Sequence, residues 1–137
     1  MIQYAVRRHI LDNAAVAALI DDRMSPPPIP QGEQLPCVTY TVAAITEDNQ
    51  EGDADTLAAA RIQLDCWATT EKEAWQLARA VRLALPTTTG PIGNGTNRIE
   101  EVSIIPVNTG QHFYEPDTRR HRVLVEFRFW YPTTVTP

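Results

Sequence analysis

The side chains able to do chemistry are few in this chain, and their spacing builds no site. His9, His112 and His121, with Cys37 and Cys66, do not fall into the short paired spacings that hold zinc. A Ser/His/Asp triad would have to draw on Ser25 or Ser103, and neither sits in a nucleophile-elbow motif. The stretch Gly90-Pro91-Ile92-Gly93-Asn94-Gly95 is glycine-rich. It follows a helical pattern and lacks the Lys-Ser/Thr pair of a phosphate-binding loop, so it reads as a turn. The acids between 47 and 55 could bind calcium, but they lack EF-hand ligand spacing. These residues predict no catalytic centre, no metal site and no cofactor, and the chain is not read as an enzyme.

Charge and aromatic residues carry more information. Glu47, Asp48, Glu51, Asp53 and Asp55 lie in a stretch, 47–57, with no base. Their mutual repulsion predicts an extended, solvated loop. That loop is either a hairpin tip or a ring element ordered against a neighbour, where an acidic annulus would repel passing DNA. Arg119, Arg120, His121 and Arg122 form a basic cluster. It could be locally solvated, pair with the acidic loop of an adjacent copy, or touch nucleic acid. Trp67, Trp75 and Trp130 are large apolar anchors suited to a core, and Trp130 falls on the polar-alternating face of its strand, where an interface role fits.

Composition bounds these readings. The chain has 137 residues, the size of one domain, with 43% hydrophobic residues and a net charge of −5. The acidic balance argues against nonspecific nucleic-acid binding. The two distant cysteines read as buried, reduced thiols. No signal peptide and no apolar run of membrane-spanning length is visible, so synthesis and folding in a cytoplasm are expected.

Elements follow from periodicity. Residues 2–20 read as helical, with Val6, Ile10, Ala14 and Ala17 as the stripe, and Asp12 as the cap of a short second helix. Pro26-Pro27-Pro28 and Pro30 make residues 22–36 a stiff connector. Strand 37–46 places Val38, Tyr40, Val42 and Ala44 on one face. Strand 58–68 returns from the acidic loop. Thr70-x-x-Glu73 is a capping box that opens a helix with Ala74, Leu77, Val81, Ala84 and Leu85 inward, ended by Pro86. A turn-rich stretch, 87–98, precedes strand 99–107. A loop, 110–118, precedes the longest strand, 119–131, in which Val123, Val125, Phe127, Phe129 and Tyr131 share a face. Residues 132–137 read as a frayed tail. The fold class expected is α+β: one domain over residues 1–137, a four-stranded mixed or antiparallel sheet, and two helices packed on one face.

In order and spacing, the chain resembles the tail terminator family of long-tailed phages, the tail-completion or head-to-tail joining proteins. The resemblance runs from the N-terminal helix and Asp22-Arg23-Met24 through Leu35-Pro36-x-Val38-x-Tyr40, the strand Arg61 to Ala68 and the helix Glu73 to Leu85. It ends on Tyr114-Glu115-Pro116-Asp117-Thr118 before a basic residue and a Phe-x-Phe-Trp strand. Cys37, where an aromatic is common, and the strongly basic Arg119-Arg120-His121 depart from the pattern. The resemblance implies a six-fold ring of copies in the virion, and a monomer in solution whose ring closure the tube end triggers is the accompanying expectation. The ring would cap the tail tube at the head-proximal end of the virion, contact the tube protein and a head-completion or connector protein, and let DNA pass without a membrane being involved. It implies no catalytic residue. The alternatives are another neck component, such as a head-closure or connector-adaptor protein, or a small ligand-binding α+β domain or enzyme.

Overall fold

Asn13 divides the first helical stretch in two. The structure, a computed structural model, describes residues 1–49, 55–85, 89–95 and 98–134. In it α1 (Ile2–Leu11) ends at Asp12, and α2 (Ala14–Ile20) starts from Asn13, whose side-chain oxygen accepts from the backbone N–H groups of Ala15 (3.0 Å) and Val16 (3.2 Å). The cap is therefore Asn13 and not Asp12, which closes α1 and pairs with Arg8 at 3.1 Å. The break resets the helical phase, so Ala14, expected in the stripe, is exposed, and Val16 and Ile20 are buried instead.

The expected connector contains a strand. β1 (Met24–Ser25) pairs in parallel with Val38 and Thr39 of β2 (Cys37–Asn49), and the Arg23 guanidinium donates to the carbonyls of Pro36 and Leu19, each at 3.0 Å. β2 forms a long antiparallel hairpin with β3 (Asp55–Ala68), paired out to Asn49↔Thr56. Much of the acidic stretch expected as a loop is thus strand: Glu47 and Asp48 lie in β2 and Asp55 in β3. A register shift between Val42 and Ala44 turns the chain over. Val42 remains packed against the core, and Ala44, expected beside it, pairs with Arg61 on the opposite face and is exposed.

α3 (Glu71–Ala84) follows, its first turn capped by the Thr70 hydroxyl, which accepts from the Glu73 N–H at 3.2 Å. Pro86, the expected stop, lies outside the described residues. Then come β4 (Gly90–Ile92), β5 (Ile99–Pro106), β6 (Gln111–Glu115) and β7 (Arg120–Thr134). β6 occupies most of the expected loop at 110–118, and β7 runs three residues beyond its expected end at Tyr131, still paired with β3.

Among the described residues the sheet holds seven strands where four were expected, with three helices where two were, in a mixed α+β arrangement. Strand order is β1-β2-β3-β7-β5-β4, with β6 also on β7. One edge of β7 binds β3 along its whole length, and the other binds β6 first (Leu124 to Arg120) and β5 further on (Phe127 to Trp130). Alternation along β7 sends Val123, Val125, Phe127, Phe129 and Tyr131 inward against Ala60, Ile62, Leu64 and Cys66 of β3. The helices contribute Val6, Ile10, Val16, Ile20, Leu77 and Val81 to the same core. Phe127 and Phe129, 1% and 0% exposed, each contribute about 2–3 kcal/mol by burial.

Asn13→Ala removes the acceptor for two N–H groups at the start of α2. Stability measured by urea denaturation should fall by about 1 kcal/mol, with the melted baseline unchanged.

Candidate functional site

The face of the sheet turned away from the helices has two unlike halves. At the β6 end it is closed by internal contacts. Arg122 Nη1 donates to Asp65 Oδ1 at 3.1 Å, and its guanidinium carbon stands 4.4 Å from the Phe113 ring centre and 5.5 Å from that of Trp67. Trp67 Nε1 in turn donates to the hydroxyl of buried Thr39 at 3.0 Å. One guanidinium thus links side chains from β2, β3 and β6 to β7. Burial pushes the Asp65 carboxyl above the usual carboxylate range, and the Arg122 hydrogen bond and charge act against that shift. Further along, Glu126 accepts from Arg61 at 3.1 Å and from Gln63 at 3.3 Å.

Towards the far end of the β2–β3 hairpin the same face is open and apolar. Trp130, Leu57, Ile105 and Val107 are 37–49% exposed. A depression of about 290 Å³ lies beside Trp130, between Ala44, Thr46, Ala59, Arg61 and Arg128. Arg61 and Arg128 rim it. Trp130 stands where alternation along β7 placed it, off the core.

The other side chains singled out in the sequence are dispersed. Of the acidic set, Glu47 is exposed on β2, Asp48 and Asp55 are carried on strand backbone, and Glu51 and Asp53 lie outside the described residues. Arg119 occupies the exposed turn before β7 with φ 55°, and Arg120 is half-buried opposite Glu115. Among the described residues neither has an ion pair, whereas Arg122 is held by Asp65. The three arginines of the basic cluster are therefore one internal residue and two outward ones. Ala68↔His121 and Asp55↔Thr134 mark the two ends of the β3–β7 ladder, so the acidic and basic groups stand roughly 40 Å apart.

The candidate chemical groups are similarly spread. Ser25 sits on β1 and Ser103 on β5, on opposite sides of the sheet order, and Ser103 shares a hydrogen bond with Thr89 at 2.9 Å. His112 Nε2 and His121 Nδ1 lie within hydrogen-bond distance, 2.9 Å, across the β6–β7 hairpin. Among the described residues no three His, Cys, Asp or Glu side chains converge to hold a metal. Cys37 and Cys66 are both free and buried, on opposite faces of the sheet. Burial pushes the Cys37 thiol up to about 11 and the Cys66 thiol further still. Gly90 to Ile92 form a short strand and Gly93 a positive-φ turn, from which Asn94 donates to Asp12 at 3.0 Å.

The sequence reading missed Asp65, Trp67 and Phe113 as partners of Arg122. Their signal was cross-strand register, which places Trp67 directly opposite Arg122 only once β3 and β7 are aligned. It missed Leu57 because that residue closed the acidic stretch read as a loop, and Ile105 because it was counted within a strand.

Residues 4–132 match the family described as tail completion protein gp17, and the chain belongs to that family. A chain from the virion of a native gene transfer agent particle has the same fold: TM-score 0.68, 17% identity, covering 96% of this chain and 95% of that one. No curated protein matches in sequence. The role is accordingly a structural one in completing a phage tail, and its place is the virion.

Both thiols should resist labelling in the native state. At pH 8 roughly one Cys37 in a thousand is thiolate by its raised pKa alone. Ellman's reagent should therefore detect essentially no thiol until denaturant is added, and two per chain afterwards. Native labelling should quicken as pH rises towards 11.

Proposed function

We propose that this family member closes with five other copies into a ring at the head-proximal end of the tail, ends growth of the tail tube, and offers the docking surface for the head. Its action is mechanical and no residue serves as a catalyst. The observation that carries this reading is the half-open sheet. One face is sealed by three helices, and the other leaves Trp130, Leu57, Ile105 and Val107 uncovered. Buried apolar area at such a surface supplies affinity, and charge sets orientation.

The contact between neighbours is head-to-tail, as a ring requires: one side of each copy meets a different side of the next. The two charged ends of the sheet fit that plan. Glu47, Asp48 and Asp55 lie too far from Arg119 and Arg120 to meet them within one copy, so any pairing between these groups joins separate copies. The tube protein would occupy one rim of the ring and a head-completion or connector protein the other, with DNA passing through the lumen.

Electron microscopy of the purified protein mixed with polymerised tube protein tests the reading. Tubes should be blunt and capped, with length no longer increasing. Tubes that grow unhindered beside an excess of the protein would refute it. Trp130→Ala should leave the denaturation midpoint nearly unchanged, since the ring is already partly solvated, while reducing capped ends several-fold. A Trp130→Ala chain that aggregates on its own would instead assign the indole to the core.

A further inference from the structure

On the side of the sheet opposite β2, the C-terminal half of α3 and the junction between β5 and β6 enclose a cleft of about 340 Å³. Arg79 and Arg82, three apart on the helix, stand along one wall, and Asn108 and Thr109 form the other. Leu85 and Phe127 are the floor. Among the described residues no acidic side chain lines it. Among the described residues neither arginine has an ion pair, and Arg82 Nε is buried without a hydrogen-bond partner. Two guanidinium groups side by side without an acid of their own are best matched by a carboxylate. At the rim, Leu83 is 68% exposed, an apolar collar around a cationic cleft.

We infer that this cleft receives the acidic end of the β2–β3 hairpin of a neighbouring copy. The inference rests on the ring reading and names the contact that closes it. The occupant has to carry negative charge, and it has to come from the opposite side of the sheet, because a head-to-tail ring brings opposite sides together. The end of the hairpin meets both conditions. β1 covers β2 only at Val38 and Thr39, so the rest of β2, with exposed Glu47, forms the free edge of the sheet. Asp48 and Asp55 lie on the same end of the hairpin backbone. Ile45 and Leu57, 39% and 49% exposed, flank these acids, and Leu83 and Pro106 offer apolar surface to match.

The other outward arginines are the poorer acceptor. Arg119 and Arg120 share their hairpin with Glu115 and Asp117, and Glu115 stands directly opposite Arg120. Carboxylates on the same hairpin lower the attraction for an incoming acid, whereas the α3 cleft holds none.

The test is the tube-capping assay, scored as the fraction of capped ends. Arg79→Glu with Arg82→Glu should lower that fraction about tenfold or more, as should Glu47→Arg with Asp48→Arg and Asp55→Arg. Both sets combined in one chain should restore capping to near the wild-type level. Lys72→Glu, a charge reversal on the exposed side of the same helix, should cap normally. Circular dichroism establishes that each variant is folded, and Arg79→Gln with Arg82→Gln replaces the reversal if it is not. Wild-type capping that persists in the folded arginine variants overturns the inference. So does a folded combined variant that shows no recovery, or a loss confined to Arg119→Glu with Arg120→Glu. A wild-type protein that caps no tubes overturns the ring reading itself, which separates the two failures.

Discussion

From Asp55↔Thr134 to Ala68↔His121, every residue of β3 is paired with one of β7. Side chains alternate with a period of two, so a slip of a single position would carry Phe127 and Phe129 to water and bring Arg122, Glu126 and Arg128 against the helices. Register is therefore fixed by the cost of burying three charges, as much as by the gain from burying two aromatic rings. The helices have one apolar surface to cover, and their own apolar residues join that core in a single cluster. What remains is a second sheet face on which, among the described residues, no helix packs.

That second face is graded along its length. Near β6 its polar groups are paired within the chain: Arg122 with Asp65, Trp67 with Thr39, Glu126 with Arg61. Near the end of the β2–β3 hairpin such pairs give way to Leu57, Trp130 and Ile105, partly exposed. The gradient has a local cause. β6 and β5 bind the same edge of β7 in succession, with Asn108 bridging the gap by accepting from the Glu126 N–H at 3.2 Å. Phe113 of β6 places a ring against Arg122, and across from Trp130 the facing residue of β5 is Ser103, too small to cover an indole.

Much of this was legible in the sequence where the signal was local. Thr70 and Glu73 marked the start of α3, and the alternation from Val123 to Tyr131 gave β7 and its inward face. The Asn13 break was half visible, since a second helix was expected one residue too early; the side chain that reaches the free N–H groups decides the position. Long-range effects were hidden. Acidic residues at 47, 48 and 55 suggest a solvated loop when only their repulsion is weighed, yet the ladder carries the backbone through them, with Glu47 exposed on its strand. The shift between Val42 and Ala44 has no glycine or proline to announce it. β1 and β4, two and three residues long, are strands only because a longer neighbour is beside them. The α3 cleft needed the β5–β6 junction to be placed before Arg79 and Arg82 could be recognised as anything but solvated helix residues.

A net charge of −5 means that copies of this chain repel one another at a distance, yet such repulsion fades within a Debye length of about 8 Å at physiological ionic strength. On the proposed reading contact is then decided locally, where an acid meets an unpaired arginine and an indole meets apolar surface. An assembly of this kind is slow to start and firm once closed, since each copy in a ring gains two contacts while the first pair gains one. A tube end that aligns several copies at once removes most of the entropy lost in the first encounter. On the proposed reading the same chain remains dispersed until a finished tube presents its rim. On the proposed reading, the timing of tail completion needs no chemical switch: it follows from weak single contacts, a geometry that rewards closure, and a template that appears only when the tube exists.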